Sequence, residues 1–189
     1  ERGRRGGRAR SLVLLLVSVP TTRARVGAYA LGRDGSGRVL LCRMSDRTRT
    51  PGVWTLPGGG LHHGEHPEVA VLREVREETG FPGAAVHLDG LLGVHSNVYE
   101  LEQAGERIAI HGVRLLYRVI IDTDIMTDTQ TDTETETDTE TTVEIRAEVA
   151  GSTDRARWFG PDEIAELELS AHASAALDLD AAAGRPRQW

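Results

Sequence analysis

The sequence lacks three features that would assign it to a particular class of protein. It has a single cysteine, Cys42, among 189 residues, so an internal disulfide framework is excluded and a reducing compartment is expected. It has no lysine, because all 22 basic residues are arginine, a bias that reflects genome composition and not mechanism. It has no apolar run long enough to span a bilayer. The apolar neighbours of Cys42 favour a buried, inert thiol over a nucleophile.

The remaining length is enough for one domain of ordinary size. Residues 1–25 begin with the basic, glycine-rich stretch ERGRRGGRAR, which predicts a disordered extension. The apolar run LVLLLV (12–17) is short for a secretory signal, and no Ala-x-Ala site follows it. We therefore favour a docked strand or an upstream extension of the start site over a signal, and we expect a cytoplasmic protein with a tail at 184–189.

A second unusual segment alternates threonine with acidic residues at 122–142. Eight acids lie between Asp122 and Glu140, so the rest of the chain is nearly neutral despite the net charge of −7. A period of two is formally a strand signal, but neither face of this segment is apolar. We interpret it as a low-complexity insertion in a loop. A calcium-binding or acidic docking segment is the alternative, although the glycine of a defined calcium loop is absent.

Regular patterns begin at residue 26 and predict one layered domain over 26–183. Apolar and β-branched runs predict strands, proline and glycine mark turns, and helices are expected at 67–79, after Pro161 and at 171–183. Strands mixed with a few helices indicate an α/β or α+β architecture. The predicted strands are 26–31, 38–43, 86–95, 111–121 and 156–159, and the segment 54–57 leads from a loop into the glycines at 58–60.

The predicted helix at 67–79 has a particular arrangement of charge. At about 100° per residue, Val69, Leu72 and Val75 share one face, and we expect the glutamates to lie on the opposite face. Proline in the first turn and Gly80 directly after the last turn suit the two ends of a helix. The three glutamates at 74, 77 and 78 are three or four residues apart, so they share one patch and repel one another.

A divalent cation with a preference for oxygen ligands is the simplest compensation for such a patch, and Mg²⁺ suits a few carboxylates plus phosphate oxygens. Arg73 precedes Glu77 by one turn and can hold that carboxylate in place. Glu65 can fold back toward the same patch. Three glycines, Gly58, Gly59 and Gly60, allow backbone to approach a metal or a phosphate closely.

The spacing of these residues resembles the box of the Nudix hydrolase family (MutT-like). An ordinary charged helix would not require it, because seven fixed residue types at fixed spacing have a chance probability on the order of 10⁻⁸. The flanks RVLLCR, GVWTLPGGG and STDRARWF are also similar to those of the family. The chain departs from the pattern at Phe81, where the family usually has an aliphatic residue. The matching residues are Gly59, Glu65, Arg73, Glu74, Glu77, Glu78 and Gly80.

The resemblance implies a fold, a reaction and a set of roles. The fold would be an α/β/α sandwich with a mixed β-sheet and a loop–helix–loop box. The reaction would be hydrolysis of a nucleoside diphosphate linked to another moiety, with Mg²⁺ or alternatively Mn²⁺ as cofactor. Arg73, Glu77 and Glu78 would be catalytic. Members of the family place the general base either in the box or on a later loop, and Glu77 is the candidate within the box. The metal ligands would be Gly59 through its carbonyl, Glu74, Glu77 and Glu78, with Glu65 in the orienting shell or as a further ligand, and with Glu148, or its rival Glu144, as a distant one.

The substrate is less well defined by the sequence. Trp54 and the glycines at 58–60 are the predicted substrate-binding residues, although Trp54 suits core packing equally well. His62, His63 and His66 are expected in an exposed loop. Some ADP-ribose hydrolases of the family carry proline at the position of Asn97, and some dinucleoside polyphosphate hydrolases carry tyrosine near the position of Tyr99. We interpret Tyr99 as a core or surface strand residue.

Two other functions stay open. Nudix domains can act as non-catalytic nucleotide or metabolite sensors, but an intact set of box glutamates favours an enzyme. The arginine-rich N-terminus could support an RNA 5′-pyrophosphohydrolase, since arginines contact phosphates. We expect a small-molecule nucleotide derivative as the partner, and neither a membrane nor a nucleic acid. Assembly as a homodimer is left open.

Overall fold

The computed structural model describes residues 20–123 and 151–184. Within these residues, helices pack on both faces of a mixed seven-stranded sheet. A single 3₁₀ turn at Gly83–Ala85 leads from the first helix into the longest strand. In chain order the elements are β1 (Thr21–Arg33), β2 (Val39–Met44), β3 (Trp54–Thr55), β4 (Gly58–Gly60), α1 (Pro67–Thr79), β5 (Val86–Gln103), β6 (Glu106–Ile121), β7 (Thr153–Phe159), α2 (Pro161–Ala165) and α3 (Ala171–Ala182).

The sheet divides into two parts that are joined at one end. Its strand order is β3-β2-β1-β6-β5, with β4 paired to β1 and β7 paired to β2. Strands β1 and β6 are parallel, and the other pairs are antiparallel. The register of β1 with β2 contains one pair, Arg33 with Val39. The two strands therefore diverge beyond that pair, and each continues beside a short strand of its own.

Alternation along the central strands builds two cores. Leu40 belongs to a cluster that includes Val71 and Val75 of α1, whereas Leu41 belongs to a cluster that includes Ala173 and Ala176 of α3. Consecutive side chains of a strand point to opposite faces, so α1 and α3 cover opposite faces of the sheet. This arrangement confirms the predicted α/β/α architecture.

The first strand begins earlier than the sequence predicts. Thr21 is its first residue, and Thr21–Arg25 pair in parallel with β6 although their side chains are exposed. The predicted boundary at residue 26 therefore falls inside β1. The sequence gives no signal here because backbone hydrogen bonds, and not buried side chains, hold this part of the strand.

The hairpin of β5 and β6 is also longer than predicted. Both strands extend past the predicted 86–95 and 111–121 and meet at a turn where Ala104 and Gly105 have positive φ angles of 52° and 79°. Most side chains between residues 96 and 107 are exposed and polar. Their sequence therefore lacks the apolar periodicity by which a strand is predicted.

Helix α1 has the predicted limits but not the predicted orientation. Val69 is 55% exposed, whereas Val71, Val75 and Glu78 are buried. The expectation that the apolar and carboxylate faces oppose each other is therefore wrong for Glu78. Its carboxylate enters the interior because it finds hydrogen-bond donors there, as described below.

Two further expectations concern buried side chains. Cys42 is fully buried, and burial raises the pKa of its thiol well above the ordinary value. Phe81 is also buried and makes an edge contact with Trp158, with ring centroids 6.2 Å apart. An aromatic residue at this position of the box is therefore accommodated by packing.

Several predictions lie outside the described residues. These are the extension through residue 19, most of the threonine–acid insertion, the tail from 185 onward, and the two glutamates at 144 and 148. In the part of the chain that is described, none of the helices combines the length and the apolar character needed to cross a membrane.

Candidate active site

Helix α1 is fixed at both ends by local structure. Pro67 occupies its first turn, and the His66 imidazole accepts a hydrogen bond from the Glu68 backbone N–H at 3.3 Å. Gly80 ends the helix in the left-handed conformation at φ 74°, and its N–H bonds to the Arg76 carbonyl. The sequence predicted the proline and glycine roles and placed His66 in the exposed loop, but it did not predict the cap.

Arg73 binds three carboxylates at once. Its guanidinium donates to both oxygens of Glu65 at 2.8 and 2.9 Å, to Oε1 of Glu74 at 2.8 Å and to Oε2 of Glu77 at 2.9 Å. A further bond of 3.3 Å reaches the Gly60 carbonyl. These bonds lower the pKa of Glu65 to about 2 and raise that of Arg73, chiefly through the Glu65 contact. Arg73 and Glu65 therefore form an ionised pair, and the orienting role of these two residues stays a prediction.

Glu74 lies directly against the glycine loop. A Cβ atom built on Gly59 would lie 2.5 Å from Oε1 of Glu74, which is closer than any side chain tolerates. Burial raises the pKa of Glu74, and the hydrogen bond from Arg73 acts in the opposite direction. The absence of a side chain at Gly59 therefore leaves room for the Glu74 carboxylate, and the predicted approach to a metal or a phosphate stays a prediction.

Glu78 is the most deeply buried carboxylate of the helix, with 3% of its surface exposed. Its Oε2 accepts from the Gly58 N–H at 2.9 Å, and its Oε1 lies 3.3 and 3.4 Å from the hydroxyls of Thr153 and Ser152. The carboxylate therefore bridges β4 and the start of β7, where the two parts of the sheet diverge. Burial raises its pKa to about 7, and the nearby charge of Glu74 adds to that effect.

Glu77 differs from the other two box glutamates. Its side chain is 47% exposed, and its described contact is the ion pair with Arg73. Arg73 draws Glu74 and Glu77 toward one guanidinium, while Glu78 faces Gly58. Among residues 20–123 and 151–184, no three His, Cys, Asp or Glu side chains are arranged so that they could hold a metal ion. The metal ligands at 74, 77 and 78 therefore stay a prediction.

The chemistry of these side chains nevertheless suits a hard divalent cation. Glu78 is a buried carboxylate whose hydrogen-bond donors, the Gly58 N–H and two hydroxyls, are all neutral. A buried charge without a compensating charge is unfavourable, and an adjacent cation removes that cost. The contacts with Arg73 use one oxygen of Glu74 and one of Glu77. The types of donor present therefore suit Mg²⁺, which takes carboxylate oxygens and retains open positions.

A cleft of about 650 Å³ lies beside these residues. Gly58, Gly59 and Glu78 line one side of it. The sheet lines another side, because residues that alternate along β1, β6 and β5 face the same way. The sheet residues in the lining include Arg25, Tyr29, His95, Asn97, Tyr99 and Arg114.

The start of α3 forms the remaining wall. Nε2 of His172 lies 2.9 Å from the Thr55 hydroxyl, which also accepts from the Ser170 hydroxyl at 3.0 Å. The His172 ring lies 4.4 Å from that of Tyr29, between centroids. Burial lowers the pKa of His172 to about 3, and the charge of Arg114 contributes. The imidazole is therefore neutral at physiological pH.

The other predicted site residues have different positions. Trp54 packs edge-on against Phe159 with centroids 4.6 Å apart, which agrees with the core interpretation. Gly58 has a φ of 148° and pairs with β1, and Gly60 pairs there too. The histidines at 62, 63 and 66 are exposed, as expected.

The cleft contains residues that the sequence did not identify. Tyr29, Arg114 and His172 lie on three separate elements and have no fixed spacing, so no motif connects them. Asn97 and Tyr99 were noted as family positions, and both line the cleft. For His95 the available signal is strand alternation, which places it on the same face of β5 as Asn97 and Tyr99.

Comparisons with known proteins agree with this geometry. The family model for the NUDIX domain matches residues 21–179. The chain therefore belongs to the NUDIX family. Nucleoside triphosphatase NudI of Enterobacter sp. (strain 638) is 54% identical over 48 residues, a quarter of this chain (25%) and about a third of that protein (34%). The chain thus matches only a minor part of that relative.

Solved structures share the fold over most of the chain. The MutT protein from Methanosarcina mazei Go1 is similar with a TM-score of 0.53 and 20% identity, covering 89% of this chain and 100% of that one. The NUDIX domain of Shewanella oneidensis NrtR, solved in complex with ADP ribose, has a TM-score of 0.51 and 17% identity, with coverage of 88% and 89%. These structures share the architecture, and at such identities they carry no information on the substrate.

Proposed function

We propose that the chain is a Mg²⁺-dependent hydrolase that cleaves a pyrophosphate linkage in a nucleoside diphosphate linked to another moiety. The observation that carries this proposal is the position of Glu78, a buried carboxylate that faces a nucleotide-sized cleft between Gly58 and Thr153. Family membership and the partial likeness to a nucleoside triphosphatase support it.

Glu74, Glu77, Glu78 and the Gly59 carbonyl are the residues that would hold the cation. We assign Glu65 to orientation, because both of its oxygens already accept bonds from Arg73. When bound, Mg²⁺ supplies charge neutralisation of the pyrophosphate and a lowered pKa for a water molecule that attacks phosphorus in line.

The chain's own residues supply position and proton transfer. Arg73 holds Glu74 and Glu77 at a fixed distance from the glycine loop, so these carboxylates need little rearrangement when substrate binds. Glu77 is the proposed general base within the box, because its half-exposed carboxylate can be reached by water. The Gly58 N–H fixes one oxygen of Glu78 and thereby the direction of the other.

A substrate panel with two variants tests the proposal. Phosphate and pyrophosphate release with Mg²⁺ would be measured for triphosphates, ADP-ribose, dinucleoside polyphosphates, nucleotide sugars and 5′-triphosphate RNA. Glu78→Gln should lower turnover of the preferred substrate at least about 100-fold, because a ligand of the cation is lost. Glu68→Gln is the matched control, since Glu68 is an exposed acid on the same helix.

Glu78→Gln should remain folded, because glutamine can still accept a hydrogen bond from the Gly58 N–H and does not bury a charge. Near-normal rates in Glu78→Gln would refute the assignment of this residue. No hydrolysis across the panel, together with measurable nucleotide binding, would favour a sensor domain instead.

A further inference from the structure

The charged residues of the cleft differ from those elsewhere in the described chain. Arginines outside it are mostly paired with acids: Arg33, Arg38, Arg43, Arg73, Arg107, Arg118 and Arg157 all form ion pairs. Three arginines line the cleft, and no ion pair within the described residues joins any of them to a carboxylate. These are Arg25, Arg49 and Arg114.

Strand register brings two of these arginines together. Arg25 of β1 lies opposite Gly112 of β6, and Gly112 lies opposite Asn97 of β5. Arg114 follows Gly112 by two residues and shares its face. Its Nη1 donates to Oδ1 of Asn97 at 2.6 Å. The side chains of these three neighbouring strands therefore lie on one face of the sheet, and those of Arg114 and Asn97 are in contact.

Gly112 is what permits this contact. A Cβ atom at Gly112 would lie 3.0 Å from Nη1 of Arg114 and 3.2 Å from Oδ1 of Asn97. The Arg114 side chain therefore passes over the backbone of Gly112, which has no side chain, and reaches Asn97 on the neighbouring strand. Asn97 is neutral, so it orients the guanidinium and leaves its positive charge uncompensated.

The surroundings of Arg114 are polar and carry little negative charge. The two acidic residues in the cleft lining are Glu78 and Glu168. Burial raises the pKa of the Tyr29 hydroxyl, and the charges of Arg114 and Arg25 act in the opposite direction. The pKa of His172 is lowered by burial and, to a smaller extent, by the positive charge of Arg114. The field of Arg114 therefore extends into the cleft, where an anion would be stabilised.

We propose that Arg114, oriented by Asn97 and flanked by Arg25, binds a phosphate group of the substrate. This inference rests on the proposed function for the linkage that is cleaved, but the anion site itself is independent of hydrolysis. Guanidinium groups bind phosphate with paired, charge-assisted hydrogen bonds.

Equilibrium binding of inorganic tripolyphosphate tests the site without catalysis. Calorimetry in EDTA, at about 0.15 M salt to screen exposed charges, would compare the full-length chain with Arg114→Met and Asn97→Asp. Both variants should bind tripolyphosphate roughly 10- to 100-fold more weakly. Arg155→Met, which removes an exposed arginine on β7 outside the cleft, should bind within about twofold of the wild type.

Asn97→Asp separates anion binding from a structural role. Aspartate keeps the oxygen that accepts from Arg114 and adds a negative charge, so the contact between the strands survives while the anion site is neutralised. We expect an unchanged or higher melting temperature with weaker tripolyphosphate binding. Wild-type affinity in Asn97→Asp, or no measurable binding to the wild type, would overturn the proposal.

The two proposals fail in different ways. One result would refute the anion site alone. In it, Glu78→Gln loses hydrolysis, whereas Arg114→Met keeps both the wild-type KM and the wild-type affinity for tripolyphosphate. Loss of tripolyphosphate binding in Arg114→Met, with no hydrolysis of any nucleotide on the panel, would support the anion site and refute the hydrolase.

Discussion

Arg73 organises the box through hydrogen bonds to three glutamates and to the Gly60 carbonyl. A lysine could not replace it, because an ammonium lacks the planar fork that binds both oxygens of Glu65 and still reaches Glu74. Glu78 is held differently, by the Gly58 N–H and two hydroxyls. The carboxylates of α1 are therefore held in two different ways, Glu74 and Glu77 by a charged guanidinium and Glu78 by neutral donors.

Gly59→Ala should displace the Glu74 carboxylate, because the new Cβ would lie 2.5 Å from Oε1. Misplacement of a reacting group by about 1 Å can lower a rate about 100-fold, so we expect a loss of turnover of that order. The clash is with the far end of the Glu74 side chain, which can move aside, so we expect little loss of unfolding free energy. Steady-state kinetics and urea denaturation measure the two effects. Gly35→Ala, with open space around the Cβ position, is the control, and an active Gly59→Ala enzyme would contradict the contact.

His172 should make the protein less stable in mild acid. Its folded-state pKa is about 3 and its ordinary value is 6.5, so the unfolded chain binds more protons between these values. The stability is complete above pH 6.5 and falls as the pH decreases toward 3. Between pH 7 and 5 the wild type should lose about 2 kcal/mol more than His172→Gln. Urea denaturation at both pH values measures this difference, and equal losses would show that His172 titrates normally.

The sequence predicted the box residues but not the cleft around them. Spacing along one helix and its preceding loop is readable, because Arg73, Glu74 and Glu77 are neighbours in the chain. Burial of Glu78 depends on donors from residues 58, 152 and 153, which only folding brings together. For the same reason, the grouping of Tyr29, Arg114 and His172 was not predictable from spacing.

At the scale of elements, α3 carries one wall of the cleft and is tied to the sheet by charge. Asp180 accepts from Arg33 of β1 at 2.9 and 3.1 Å and from Arg118 of β6 at 2.5 and 2.9 Å. The bonds from both arginines lower the pKa of Asp180 against the effect of burial. This link holds α3 across the parallel pair of strands, and the first turn of α3 contains His172.

Asp180→Asn should therefore destabilise the domain by about 2–3 kcal/mol, because partly buried Arg33 loses its ion pair and Arg118 keeps only the longer pair with Asp89 at 3.6 Å. Asp178→Asn is a matched control, since Asp178 is exposed on the same helix and its removal should cost less than about 0.5 kcal/mol. Thermal or urea unfolding measures both. Equal stability of the two variants would show that Asp180 does not anchor α3.

Element types were predictable, and element ends were less so. The limits of α1 followed from Pro67 and Gly80, whose backbone preferences are local. The extra lengths of β1, β5 and β6 were missed because their exposed residues lack apolar alternation and pair through the backbone. The orientation of α1 was predicted wrongly. The spacing of the apolar residues predicts that Val69 is buried, whereas in the structure Val69 is exposed and Glu78 is buried.

At the scale of the whole molecule, the divergence of β1 and β2 makes the site possible. The sheet opens beyond the single pair of Arg33 with Val39, and Glu78 reaches into the opening from α1. Glu78 thus lines the same cleft as Arg25 and Arg114 of the sheet. Such a distribution of charge suits a ligand that carries a cation-bound phosphate.

Direct binding of Mn²⁺, followed by its electron paramagnetic resonance signal, tests the central claim that the box glutamates hold a divalent cation. The wild type and Glu68→Gln should bind Mn²⁺ with similar affinity, and EDTA should remove both the ion and all nucleotide hydrolysis. Glu78→Gln should bind Mn²⁺ at least about tenfold more weakly, because one charged ligand is lost. Equal Mn²⁺ affinity in Glu78→Gln and the wild type would contradict the account.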